Sequence, residues 1–244
     1  MRGFFFTWWG ALLTLICLVH YVRRRQSTQN YWLWLILMGG WIGALAYIFV
    51  EIVPDLGWDQ PFRSYFVHRK KIEQMEAAVH DNPSPGNYEE LGMALLDDKQ
   101  YARARECYDK AITPRTNHTD VFYRRALCAL AMNDHAIALP DLERVVQSEP
   151  AYDFQRAPGL LANVYAELGQ NDKADALFTK TLQSSTLSET QCNYAAFLLK
   201  QQRRDEAKQW ASEVTHKKKS LPNYNRRLDN KWISKANGIL KEIG

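Results

Sequence analysis

Charge of one sign is scarce in this chain: 31 Lys and Arg stand against 27 Asp and Glu, a net of +4. A uniformly basic nucleic-acid binder carries a stronger bias, so that class is set aside. Cysteine is sparse as well. Cys17, Cys107, Cys128 and Cys192 include no Cys-x-x-Cys pair, and they read as small packing residues, not as disulfides or metal ligands. The six histidines are scattered without a pair at helical ligand spacing, so no metal site is expected. A glycine-rich phosphate loop and a nucleophile elbow are both missing. No catalytic residue and no cofactor is therefore assigned.

What the chain does have is strongly partitioned. Phe4–Val22 is a run of 19 residues without a formal charge, closed by Arg23-Arg24-Arg25. Tyr31–Val53 is a second apolar run, interrupted only by Glu51. At about 1.5 Å per residue each is long enough to cross a hydrocarbon core of roughly 30 Å. Trp8, Trp9, Tyr21, Tyr31, Trp32, Trp34 and Trp58 lie near the expected ends, where interfacial aromatics gather. A cleaved signal peptide fits poorly, because no small-residue cleavage site is present and the basic stretch follows the apolar run. Residues 1–58 are thus expected to form a two-span membrane hairpin with a short basic loop. Gly39, Gly40 and Gly43 would let its second helix approach the first. The positive-inside bias of Arg23–Arg25 puts that loop in the cytoplasm and the rest of the chain outside the inner membrane of a bacterium, whereas Arg63, Arg69, Lys70 and Lys71 argue the opposite orientation.

Gly40-Trp41-Ile42-Gly43-Ala44-Leu45-Ala46-Tyr47 resembles the two-helix region ahead of bacterial cardiolipin synthases and other phospholipase-D-type proteins. That region carries Pro-x-x-Gly-x-x-x-Tyr, and Gly40 stands here where the proline would be. The resemblance implies an anchor. The enzyme's His-x-Lys-x4-Asp element does not accompany it: His68-Arg69-Lys70 is followed by Met75 at the acid position, and His216-Lys217-Lys218 by Asn223.

Beyond residue 58 a period appears. Ala104, Ala138, Ala174 and Ala207 recur at spacings of 34, 36 and 33 residues, each near the start of a similar amphipathic stretch. Such a period marks stacked helix pairs. Gly92, Ala126, Ala162 and Ala195 precede them at matching positions, and small residues facing small residues allow two helices to pack at short separation. Tyr108, Leu142 and Phe178 would fill the space between neighbouring pairs, and Ala211 is smaller than that place requires. Leu91-Gly92, Tyr101, Ala104, Tyr108 and Ala111 resemble the tetratricopeptide consensus. The resemblance implies an all-α fold, a right-handed helical-hairpin solenoid, with repeats at residues 85–118, 119–154, 155–187 and 188–221. Residues 59–84 read as a connecting half-repeat helix and residues 222–244 as a capping helix. Pro140, inside a helical stretch, predicts a bend or a later helix start.

In tetratricopeptide proteins the first helix of each pair lines the concave surface. Transferred to this register, the rule nominates Glu89, Met93, Tyr123, Leu127, Asn163, Glu167, Cys192 and Lys200 as a groove for a protein or peptide partner. Arg124, Asn163 and Asn193 are fragments of a terminal-carboxylate clamp whose full pattern is absent. His216–Lys219 could touch anionic headgroups. The expectation is a non-enzymatic, membrane-anchored scaffold for envelope- or lipid-related assemblies. Two alternatives stay open, a regulatory subunit of a phospholipase-D-type enzyme and a degenerate relative of one.

Overall fold

The computed structural model describes residues 12–21, 31–48, 50, 60–220 and 223–244. All of the regular structure among them is helical. Helix α1 covers residues 12–21, α2 Tyr31–Tyr47 and α3 Gln60–Asp81. Eight helices then alternate with short turns: α4 Pro85–Asp97, α5 Tyr101–Ala111, α6 Thr119–Ala131, α7 His135–Ser148, α8 Arg156–Glu167, α9 Asn171–Leu182, α10 Ser188–Lys200 and α11 Arg204–Ser220. Helix α12, Asn223–Ile243, ends the chain. Residues Met1–Lys71 and Ile72–Gly244 form two compact units.

In the first unit, α1 and α2 share a small apolar core of Cys17, Tyr21, Trp32, Ile36, Ala44 and Tyr47. His20 Nδ1 and Tyr47 Oη are 3.1 Å apart, and the Cys17 thiol donates to the Ala44 carbonyl. The expected straight second span is not what is found. Gly40 takes φ 53°, ψ −131°, a conformation only a residue without Cβ enters freely, and it breaks α2 in two. Gly43 then lies against the Leu35 carbonyl of its own segment, at 2.0 Å from where a Cβ would stand, whereas Gly39 and Gly40 have open space beside them. Gly40 thus interrupts the helix, and Gly43 admits the Leu35 carbonyl. Among the described residues no helix is long and apolar enough to cross a membrane. Arg23–Arg25, Glu51, Trp8, Trp9, Trp58 and the outer ends of both apolar runs lie outside the described residues.

The second unit is a stack of helix pairs: α4 with α5, α6 with α7, α8 with α9 and α10 with α11. Ala104, Ala126, Ala138, Ala162, Ala174, Ala195 and Ala207 are all fully buried where the pairs meet. Gly92, in the same register, faces the ring of buried Tyr108, whose Cε1 and Cζ lie 3.0 Å from where a Cβ would be. In this first pair the missing Cβ thus makes room for the tyrosine ring. Where Ala211 leaves room in the fourth pair, Ile233, Ala236 and Ile239 of α12 complete the core.

Every pair turns through three residues, and the middle one is left-handed: Lys99 at φ 62°, Asn133 at 59°, Gly169 at 74° and Gln202 at 63°. One geometry recurs with four different side chains. Entry into α4 is fixed by Ser84, whose hydroxyl accepts from the Asn87 N–H, with Pro85 pre-set for the first turn. Helix α7 is capped by Asp134 and runs unbroken through Pro140, starting at His135 without the delay expected of a proline. Arg125 of α6 ties three helices, donating twice to Asp141 of α7 at 2.7 Å and once to Asp109 of α5 at 2.8 Å.

Successive first helices approach each other, α4 to α6 and α8 to α10, and α10 meets α12. No second helix approaches the next second helix as closely. The stack therefore curves towards its first helices, and α6 and α8 are the more open pair on that inner side.

Candidate binding cleft

Between α7 and α8 the chain makes a second kind of left-handed turn. Asp153, Phe154 and Gln155 stand in succession at φ 50°, 52° and 70°. None is glycine, so the turn carries a conformational cost of order 1 kcal/mol per residue. It carries Tyr152 and Asp153 up against Asp120, Tyr123, Arg124 and Leu127 of α6, and these six residues line a cleft of about 250 Å³.

The cleft is a closed polar circuit around two aromatic rings. Tyr123 and Tyr152 meet edge to face, 5.0 Å between centres. The Tyr123 hydroxyl donates to Asp153 at 2.5 Å and the Tyr152 hydroxyl to Asp120 at 2.6 Å. Arg124 pairs with Asp120 one turn earlier on the same helix. Burial and the carboxylate beside each phenol push both tyrosines well above the usual range. Burial alone would raise the Asp120 carboxyl, but hydrogen bonds from Tyr152 and Arg124 outweigh it and hold the group below its ordinary value. Arg156, next to the turn, donates to Glu189 of α10 at 2.7 Å. Burial would lower it, and the Glu189 bond more than compensates.

The residues nominated from sequence fall into four groups. Tyr123 and Leu127 share the cleft. Glu167 and Lys200 pair with each other across α8 and α10 at 2.9 Å, and Glu89 lies 3.6 Å from His118. Met93 and Asn163 are half-buried on their helices. Cys192 is not in a groove at all. It is fully buried beneath α12, its thiol against the Trp232 carbonyl at 3.6 Å. The register nominated it for the groove, but the terminal helix covers it. The carboxylate clamp is not assembled, since Arg124 is held by Asp120, and Asn193 is buried and accepts from Lys235. Lys217, from the stretch that could touch anionic headgroups, donates instead to Gln191 of α10. Asp120, Tyr152 and Asp153 escaped sequence reasoning. Asp120 sits in the first turn of α6, and the other two lie in a junction where no helical stripe marks a side chain as inward.

A tetratricopeptide-repeat model matches residues 86–113, and a second matches residues 120–151. The chain carries tetratricopeptide repeats. Human "DnaJ homolog subfamily C member 3" is 34% identical over 96 residues, which is 39% of this chain and 19% of the relative. The bovine counterpart is 33% identical over the same length. The chain thus spans about a fifth of the length of these curated relatives. Among solved structures, a double mutant of MamA RS-1 superposes with a TM-score of 0.58 at 22% identity, over 67% of this chain and 92% of that one. YrrB, described as a TPR protein with an unusual peptide-binding site, gives 0.55 at 16% identity, over 73% and 91%. These likenesses establish the fold, an all-α tetratricopeptide-type solenoid.

Proposed function

We propose that this chain is a bacterial membrane-anchored scaffold, whose tetratricopeptide array holds a protein segment in the cleft between α6 and the α7–α8 junction. The observation that carries the binding part is the Tyr123–Tyr152 cleft itself: concave, aromatic, lined by convergent polar groups and braced by a strained turn. Two rings and Leu127 offer apolar contact, while Asp120, Arg124 and Asp153 offer charges that are already oriented. The full chain in detergent, after crosslinking in cells, should bring down defined proteins. Leu127→Arg should lose them while the thermal midpoint stays near that of the wild type. Unchanged recovery with that variant would remove the cleft from the reading. A phospholipid synthase among the captured proteins would make the chain a regulatory subunit of a lipid enzyme.

The anchoring part rests on composition and exposure. Leu12, Leu15, Ile16, Val19, Trp34, Leu37, Met38 and Ile42 are all exposed on α1 and α2, and Met38 is 85% accessible. So much uncovered apolar surface in a short segment calls for lipid or protein around it. Residues 1–58 should remain with membranes after an alkaline carbonate wash, and deleting them should release the array. The array is assigned to the extracytoplasmic side of the inner membrane. Alkaline phosphatase fused after Gly244 should then be active, and an inactive fusion with full expression would reverse the topology.

A further inference from the structure

The outer side of the stack carries a second groove that the cleft does not use. Because the stack curves towards its first helices, second helices α7 and α9 splay apart, and α8 floors the space between them. The resulting trough is about 600 Å³, lined by Glu143, Val146 and Gln147 of α7, Leu161 and Tyr165 of α8, and Lys173, Ala176, Leu177 and Lys180 of α9.

Helix α9 presents Lys173, Ala176, Leu177 and Lys180 at i, i+3, i+4 and i+7, which places them on one face. An apolar pair, one member of it small, sits between two ammonium groups whose backbones are about 10.5 Å apart. On the opposite wall Glu143, Val146 and Gln147 keep the same spacing. Both walls have the form one helix offers to another. The charges are not balanced within the groove. Lys173 lies 5.2 Å from the Tyr165 ring centre, and neither lysine forms an ion pair among the described residues. The single acid of the lining, Glu143, already accepts from the Tyr165 hydroxyl at 2.7 Å.

We infer that this groove docks an acidic amphipathic helix of a partner protein, its apolar stripe laid on Val146, Ala176 and Leu177 and its carboxylates two turns apart on Lys173 and Lys180. It is a site distinct from the inner cleft, so one molecule of the array can hold two partners on opposite sides.

The probe is a fluorescein-labelled helical peptide of leucine and glutamate, with Leu pairs at three-four spacing flanked by Glu. A peptide with Lys in place of every Glu serves as its control. Fluorescence anisotropy is read with the full chain in neutral detergent micelles. The acidic peptide should bind and the basic one should not. Lys173→Glu/Lys180→Glu should weaken the acidic peptide about tenfold, as the loss of two partly exposed ion pairs implies, and should let the basic peptide bind in its place. Ala176→Arg should block the acidic peptide, and Leu127→Arg in the cleft should leave its binding unchanged. Equal binding of the two peptides, loss of the acidic peptide in Leu127→Arg, or a charge-swapped variant that fails to exchange its preference would overturn the assignment. Capture of the array by vesicles of anionic phospholipid through Lys173 and Lys180, with no binding of the peptide, would overturn it in favour of a lipid surface.

Discussion

At the scale of single residues, the hairpin turns isolate what a left-handed conformation costs. Gly169 has no atom within 4 Å of a would-be Cβ, so Gly169→Ala changes backbone preference and nothing else. It should lower stability by about 1 kcal/mol, and Gln202→Gly at the equivalent place should raise it by about 0.5–1 kcal/mol. Urea denaturation of both variants measures the two effects. Arg125 makes a larger and opposite case. Its removal leaves Asp141, whose side chain is only 6% exposed, without its cation, so Arg125→Met should cost about 3 kcal/mol. Part of that loss should return in Arg125→Met/Asp141→Leu, because the penalty belongs to the orphaned carboxylate. Asp120 sets the acid limb. Its carboxyl is depressed in the folded chain, so its contribution is present above the unfolded value of about 3.9 and fades as pH falls through the lower folded value. Asp120→Asn should therefore flatten the loss of stability below about pH 4 in melts followed across acid pH.

At the scale of elements, spacing in the sequence proved a better guide than individual side chains. The alanine period placed eight helices in pairs because buried small residues must recur wherever two backbones come close, and no other surface imposes that rule. Pro140 does not delay the helix start, because one lost hydrogen bond in a helix held on its buried face by Ala138, Leu142 and Val145 is too little to shorten it. The turns were half legible, since Gly169 and Asn133 announce a left-handed residue and Lys99 and Gln202 do not. The cleft was least legible, because half of it comes from a junction with no helical period. Gly159 shows the same geometry at work between α8 and α10. A Cβ there would stand 2.4 Å from the Thr190 hydroxyl oxygen, so Gly159→Ala should push these two helices apart and destabilise the array by about 1–3 kcal/mol. Thermal unfolding followed by circular dichroism reads that loss. Helix α12 can be watched through Cys192, whose thiol burial pushes up to about 11. Alkylation at mild pH should leave Cys192 untouched in the wild type and label it in Ile233→Asp, where the helix is loosened.

At the scale of the whole molecule, two surfaces of different chemistry belong to one chain. The first unit leaves apolar side chains uncovered on α1 and α2, and the second stitches its inner side with polar links between successive repeats. Tyr123 to Asp153, Tyr152 to Asp120, Arg156 to Glu189 and Lys200 to Glu167 span 30 to 33 residues each. Side chains that a groove would offer to a ligand are, over much of the array, already used as fastenings. The cleft at α6 differs because its fastenings surround a cavity.

The four matching hairpin turns have an evolutionary implication. When unlike residues settle into the same bend, the angle between two rods is dictated by how the rods nest and not by the residue at the corner. Corners of this kind accept unlike side chains at a modest cost, so a hairpin duplicated or deleted at them should leave a stack that still closes, whereas a cut at the irregular Tyr152–Gln155 junction would erase the cleft.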